Sequence, residues 1–212
     1  MTPTTNSPVL EVTDMHFGWP GIPLFQGMSF QVPVGVSVVH GEESSGKTTL
    51  LKLLAGDLRA DSGAFVLRNT HLKTHDDAYR AQVFRTEPRS DALDAISAQA
   101  WFATLVSRYP RFNLDTAKEL ARGFALEAHI DKPMYMLSAG SKRKVWLSAA
   151  FSAGTALTLI DEPFAALDMG SIRFLNALLQ EASEHTERAW VLADHSPPEG
   201  LALKTQLVLG EP

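Results

Sequence analysis

The chain of 212 residues contains no cysteine. Disulfides, thiol catalysis and cysteine-built zinc sites are thereby excluded. It also lacks a membrane span. The most apolar long stretch, Val145 to Ile160, is interrupted by Gly154, and a spanning helix needs roughly 20 mostly apolar residues. An excess of basic charge is missing too. Nineteen Lys and Arg stand against 24 Asp and Glu, a net charge of −5, which argues against broad electrostatic binding of nucleic acid. Residues 1–8 hold two prolines and no basic or apolar stretch. They predict a loose N-terminal tail rather than a signal peptide. Any membrane role is expected to come through a partner.

Hydrophobic residues make up 45% of the chain and charged residues 20%, the balance of a globular protein able to bury a core. The length predicts one domain, here 9–212. Met28, Phe30 and Val32 alternate with polar residues, as in a half-solvated strand. Val36–Val39, Ala64–Leu67, Ala156–Ile160, Ala189–Ala193 and Gln206–Leu209 read as further strands. Leu50, Leu51, Leu54 and Ala55 mark one helix face, with Gly56 as its stop. Ile172, Leu175, Leu178, Leu179 and Ala182 mark another, and 91–128 is helical in pattern. Strands alternating with helices predict an α/β fold with a mostly parallel sheet and helices on its faces. The early alternating strands predict an added antiparallel layer.

Gly41-Glu42-Glu43-Ser44-Ser45-Gly46-Lys47-Thr48 matches GxxxxGK[ST]. A predicted strand precedes it and a predicted helix follows. That layout suits phosphate: backbone N–H groups and a helix N-terminus offer positive partial charge. Gly41 and Gly46 permit a tight turn. Lys47 can place a cation on the β- and γ-phosphates, and Thr48 can ligate Mg²⁺. A Gly/Ser turn carrying a solvated lysine is the competing reading. Glu42 and Glu43 are unusual beside a polyanion and are expected to point their carboxylates to solvent.

The strand Ala156–Ile160 ends in Asp161-Glu162. Ligands of open parallel sheets gather at the carboxyl ends of strands. Asp161 would there face a Mg²⁺ shell, and Glu162 could polarise an attacking water. Two solvated loop carboxylates are the alternative.

A third segment, Leu137-Ser138-Ala139-Gly140-Ser141-Lys142-Arg143-Lys144, resembles the LSGGQ-type signature of ATP-binding cassette (ABC) ATPases. The phosphate loop, signature, acidic strand end and a later histidine follow that family's order, from about Val9 to Leu209. The LSAG form, Asp161-Glu162-Pro163-Phe164 and the short chain look most like the ATPase subunits of haem exporters in cytochrome c maturation. The resemblance implies a P-loop NTPase of ABC type with a small helical subdomain at about 89–145, binding ATP and Mg²⁺. It implies a homodimer or heterodimer of ATPase subunits and a transmembrane transporter subunit, at the cytoplasmic face of a membrane.

Site residues follow from the same resemblance. ATP would meet Gly41 through Thr49, that is Glu42, Glu43, Ser44, Ser45, Gly46, Lys47, Thr48 and Thr49. Trp19 would stack on adenine; a core or surface-turn tryptophan is the other reading. Ser138, Gly140 and Ser141 would act in trans. Asp168, in Ala166-Leu167-Asp168, resembles the D-loop. His195 resembles the switch histidine on the γ-phosphate, against an exposed loop histidine. Glu162 and His195 are the catalytic candidates, and Thr48, Asp161 and Glu87 the metal candidates. Glu87 stands where the family has a glutamine. Gln82 is its rival, expected inside the preceding strand. Ser141 and Ala139 also depart from the family pattern. Lys142, Arg143 and Lys144 read mainly as a solvated charge run.

Overall fold

The computed structural model describes residues 7–210. A five-stranded parallel sheet positions the site. Its order is β6-β7-β8-β3-β9, with β3 at Gly35–Gly41, β6 at Val83–Arg85, β7 at Leu157–Asp161, β8 at Ala189–Asp194 and β9 at Gln206–Leu209. Val36↔Trp190 and Leu159↔Val191 are in register. The central strands are buried on both faces, as their near-continuous Val, Leu, Ile and Ala runs require.

Alternate residues of these strands feed two cores. Val36, Val38, Ile160, Trp190 and Leu192 join one. That core is completed by helices α3 (Ala98–Arg108), α4 (Leu114–Gly123), α5 (Ala139–Ser152) and α6 (Met169–Ser183). Val39, Leu157, Leu159 and Val191 join the other. There they meet Leu50, Leu51, Leu53 and Leu54 of α1 (Lys47–Ala55), whose far side packs on the second sheet. Gly56 ends α1 in the left-handed region, φ 77°, and its N–H returns to the helix carbonyls.

The second sheet is antiparallel, in the order β2-β1-β4-β5. It comprises β1 (Leu10–Trp19), β2 (Ile22–Val32), β4 (Ser62–Leu67) and β5 (Thr70–His71). Strand β1 was not legible as a strand, for a local reason. Leu10 and Val12 are buried, then the phase slips so that Met15 and Phe17 are. The slip is a bulge. Asp14 sits at φ 48° and donates its N–H to Ser29 Oγ at 2.8 Å.

Between β6 and β7 the chain is helical, though not as one run. A short helix α2 (Asp76–Arg80) precedes β6. The expected stretch 91–128 divides at Pro110, because a residue before proline avoids the helical region, and Tyr109 is extended. Ser97 caps α3 by accepting from the Ala100 N–H, and Asn113 caps α4 by accepting from the Thr116 N–H. Residues 1–6 of the expected N-terminal tail lie outside the described residues; Val9 is already buried and donates to the Val32 carbonyl at 2.8 Å. No helix among the described residues is long and apolar enough to cross a membrane.

Candidate active site

Strand β3 ends at Gly41 and α1 begins at Lys47, so residues 42–46 form a loop at the carboxyl edge of the parallel sheet. Gly46 opens the helix at φ 97° with no side-chain cap, and the first turn holds no acidic residue. Its N–H groups and positive dipole end are thus left to an anion. A Cβ on Gly41 would lie 2.3 Å from the Leu209 carbonyl oxygen, so the loop rests directly on β9. Lys47 Nζ donates to the carbonyls of Gly41 and Glu42, each at 2.6 Å. The Glu42 and Glu43 side chains are exposed, as expected.

Strand β7 delivers Asp161 to the same place. Thr48 Oγ1 donates to Asp161 Oδ2 at 2.7 Å, and the Asp161 N–H donates to the buried Thr86 hydroxyl at 3.2 Å. Burial pushes the Asp161 carboxyl up, the Thr48 hydrogen bond opposes this, and neighbouring Glu162 adds to the rise. Glu162 follows at φ 46°, with its N–H held by the Ala193 carbonyl at 2.8 Å. This turns its carboxylate toward Arg89 and toward Arg143 Nη2, the latter at 3.7 Å. His195 follows β8, with Nδ1 3.3 Å from the Gly41 carbonyl oxygen.

These groups line one cavity of about 830 Å³, shared by Glu42, Lys47, Thr48, Asp161, Glu162 and His195. Glu43, Ser44, Gly46 and Thr49 also border it. Such a volume accommodates a nucleotide-sized ligand. Hard oxygen donors from Thr48 and Asp161 suit Mg²⁺, which keeps most of its shell in water and phosphate. A cation there would also relieve the burial of the Asp161 carboxylate.

The other expected residues lie elsewhere. Trp19, 48% exposed at the end of β1, meets Phe17 edge-on at 5.2 Å and borders a separate hollow with Phe25. Ser45, in the same loop, does not border this cavity, and its Oγ lies 3.4 Å from Lys47 Nζ. Ser138 caps α5 by accepting from the Ser141 N–H at 3.1 Å, and Gly140 is buried under the Ala166 carbonyl, which a Cβ would approach to 2.3 Å. Asp168 caps α6 at Ser171 and accepts from Lys144 Nζ at 2.6 Å. Lys144 first, then Ser171, holds its carboxyl far below the usual range. None of Ser138, Gly140, Ser141 or Asp168 lines the Lys47 cavity.

Two expectations are corrected. Gln82 lies just before β6, at the end away from Glu87, and bonds Thr70 and Ala78. Glu87 borders a smaller adjoining cavity with Thr48 and Asp161, its carboxylate paired with Arg85. The basic run 142–144 is not a solvated face. Lys142 pairs with Asp94, Lys144 with Asp168, and Arg143 is buried with Nη1 2.5 Å from the Ala165 carbonyl. Burial lowers the Arg143 pKa, against the pull of Glu162. Sequence reasoning missed Thr86, Arg89 and the inward role of Arg143. Only the position of Arg89, two residues beyond Glu87, carried any signal.

Residues 25–165 match the family described as ABC transporter. The chain is 33% identical over 175 residues to the cytochrome c biogenesis ATP-binding export protein CcmA of Legionella pneumophila, covering 82% of this chain and 86% of that protein. It is 27% identical over 205 residues to the taurine import ATP-binding protein TauB of Escherichia coli O157:H7, covering 96% and 80%. A solved ATP-binding subunit of an ABC transporter superposes with a TM-score of 0.80 at 24% identity, covering 88% of this chain and 79% of that one. A Pyrococcus furiosus ABC transporter ATP-binding protein, described as putative, superposes with a TM-score of 0.76 at 19% identity, covering 94% and 96%. The chain belongs to the ABC transporter family, as an ATP-binding subunit with the ATPase fold and activity of that family.

Proposed function

We propose that two ATPase subunits close head to tail on ATP and, by hydrolysing it, drive a separate membrane subunit from the cytoplasmic face. The observation that carries this is the convergence of Lys47, Thr48, Asp161, Glu162 and His195 on one cavity. In this reading residues 9–212 form one ABC ATPase domain with its helical subdomain at about 89–145.

The loop Gly41–Gly46 and the open N-terminus of α1, including Thr49, bind the phosphate chain, and Trp19 takes the adenine face. Lys47 exchanges its two carbonyl partners for phosphate oxygens. Thr48 and Asp161, with Glu87 as a further oxygen donor nearby, would hold Mg²⁺. Bound there, magnesium would neutralise charge on the β- and γ-phosphates. Glu162 accepts a proton from the attacking water, and His195 orients the terminal phosphate. Ser138, Gly140 and Ser141 of the second subunit complete the site, and Asp168 lies at the shared boundary. ATP then favours the closed pair through its differential affinity for it.

Lys47→Ala should abolish ATP binding or hydrolysis, and Glu162→Gln should bind ATP while turnover falls at least about a hundredfold. Full hydrolysis by Glu162→Gln would remove Glu162 from the mechanism. A second reading, a nucleotide-gated regulatory module with little turnover, is favoured by Glu87 and Ser141; robust steady-state phosphate release eliminates it.

Haem export for cytochrome c biogenesis is the cargo reading supported by the LSAG form and by similarity to a CcmA protein. Similarity to a TauB protein supports another cargo. Identifying the membrane subunit that co-purifies with the chain decides between them.

A further inference from the structure

We infer that Arg89 is a nucleotide contact of this site, one that reads the terminal phosphate and sets the preference for a nucleoside triphosphate over a diphosphate. The inference rests on the reading that residues 41–48 hold the phosphate chain.

Arg89 lies on the loop that follows β6 and borders the same cavity as Lys47, Thr48, Glu162 and His195. Its side chain is 78% exposed, and its sole ion-pair partner among the described residues is Glu162. An exposed pair of this kind is weak, because water and salt screen it. A triphosphate offers a denser negative charge, and a guanidinium fork matches phosphate oxygens in pairs. Arg89 is therefore free to change partner.

Glu162 is not stranded by the exchange. Arg143 approaches the same carboxylate oxygen at 3.7 Å. Its side chain is only 6% exposed and is tethered to the Ala165 carbonyl. One arginine is buried and tethered and the other exposed, on a single carboxylate oxygen. When Arg89 leaves, Glu162 keeps the Arg143 cation beside it.

The location selects the phosphate that is read. Arg89 borders the cavity that holds Thr48, Asp161 and Glu162, and not the hollow at Trp19. It stands beside Glu162, the proposed water-activating group, which is where the terminal phosphate is expected in this reading.

The test uses the purified full chain. Displacement of a fluorescent nucleotide gives dissociation constants for a non-hydrolysable ATP analogue and for ADP. Arg89→Ala should weaken the ATP analogue about fivefold to tenfold and ADP less than about twofold. Arg89→Lys should recover part of the loss. A merely structural role would move both ligands together, so equal losses, or no loss for either, overturn the inference. Lys47→Ala is measured in parallel. If it binds both nucleotides as the parent does, the underlying phosphate-loop reading has failed. If it loses both while Arg89→Ala keeps the parent ratio, only the role of Arg89 has failed.

Discussion

Thr48 donates its hydroxyl to Asp161 across 2.7 Å, which ties the first turn of α1 to the end of β7. The bond leaves a half-buried carboxylate with one hydroxyl partner and an acidic neighbour. Burial raises the Asp161 pKa above its unfolded value. The stabilisation lent by its proton is full below the unfolded pKa and is lost as pH rises through the folded one. At neutral pH the ionised group destabilises the nucleotide-free chain. Asp161→Asn should therefore raise the Tm without ligand and abolish the further rise given by Mg²⁺ and ATP. Thermal melts with and without both ligands check the two signs together.

Gly140→Ala sets two effects against each other. Alanine inside a helix gains about 1 kcal/mol over glycine. The added Cβ would meet the Ala166 carbonyl at 2.3 Å, and Ala166 is itself held at φ 58°. Backbone held in that way does not yield cheaply. The clash should win, with a net loss of about 1–3 kcal/mol in urea unfolding. A stabilised variant would show that the loop 163–168 moves freely.

Arg85 is only 10% exposed in its side chain and is shared by Asp57, at 2.7 Å, and Glu87. Removing the cation leaves Glu87 without its partner and Asp57 with only Arg80, at 3.6 Å. Arg85→Met should cost about 2 kcal/mol, below the range for fully buried pairs because both acids remain partly exposed. Adding Glu87→Gln should return about 1 kcal/mol of it, a coupling that a double-mutant cycle reads directly. If the two losses simply add, Arg85 does not serve to balance Glu87.

Four tryptophans are present. Trp101, Trp146 and Trp190 are buried, so Trp19 alone is open to a collisional quencher. ATP should lower acrylamide quenching of the parent chain and leave quenching of Trp19→Phe unchanged. The same substitution should weaken ATP by about threefold, through a smaller stacking face. Unchanged quenching of the parent on saturation with ATP would remove Trp19 from the adenine site.

Much of this was legible because the chemistry is local. The phosphate loop needs a strand, two glycines, a lysine and a helix start within a few residues, and all occur between Val36 and Leu54. Burial on both faces made β3, β7 and β8 readable as apolar runs. Strand β1 was hidden by its irregular register, above all the bulge at Asp14, which shifts the alternation by one residue. The run Lys142-Arg143-Lys144 was misread because composition alone cannot report Asp94, the Ala165 carbonyl and Asp168, which the fold brings from three other segments. Arg89 was missed for the same reason: Glu162 lies 73 residues away along the chain.

The absence of room at Gly41 has a further meaning. With Leu209 as its floor, the loop cannot settle unless the final strand is already docked, and that strand is anchored on one side only, to β3. Fraying at this outermost ribbon would loosen the grip on substrate from below, and a filled site would in turn slow hydrogen exchange there. Strand β9 is thus a gauge of occupancy, readable without touching any group that performs the chemistry.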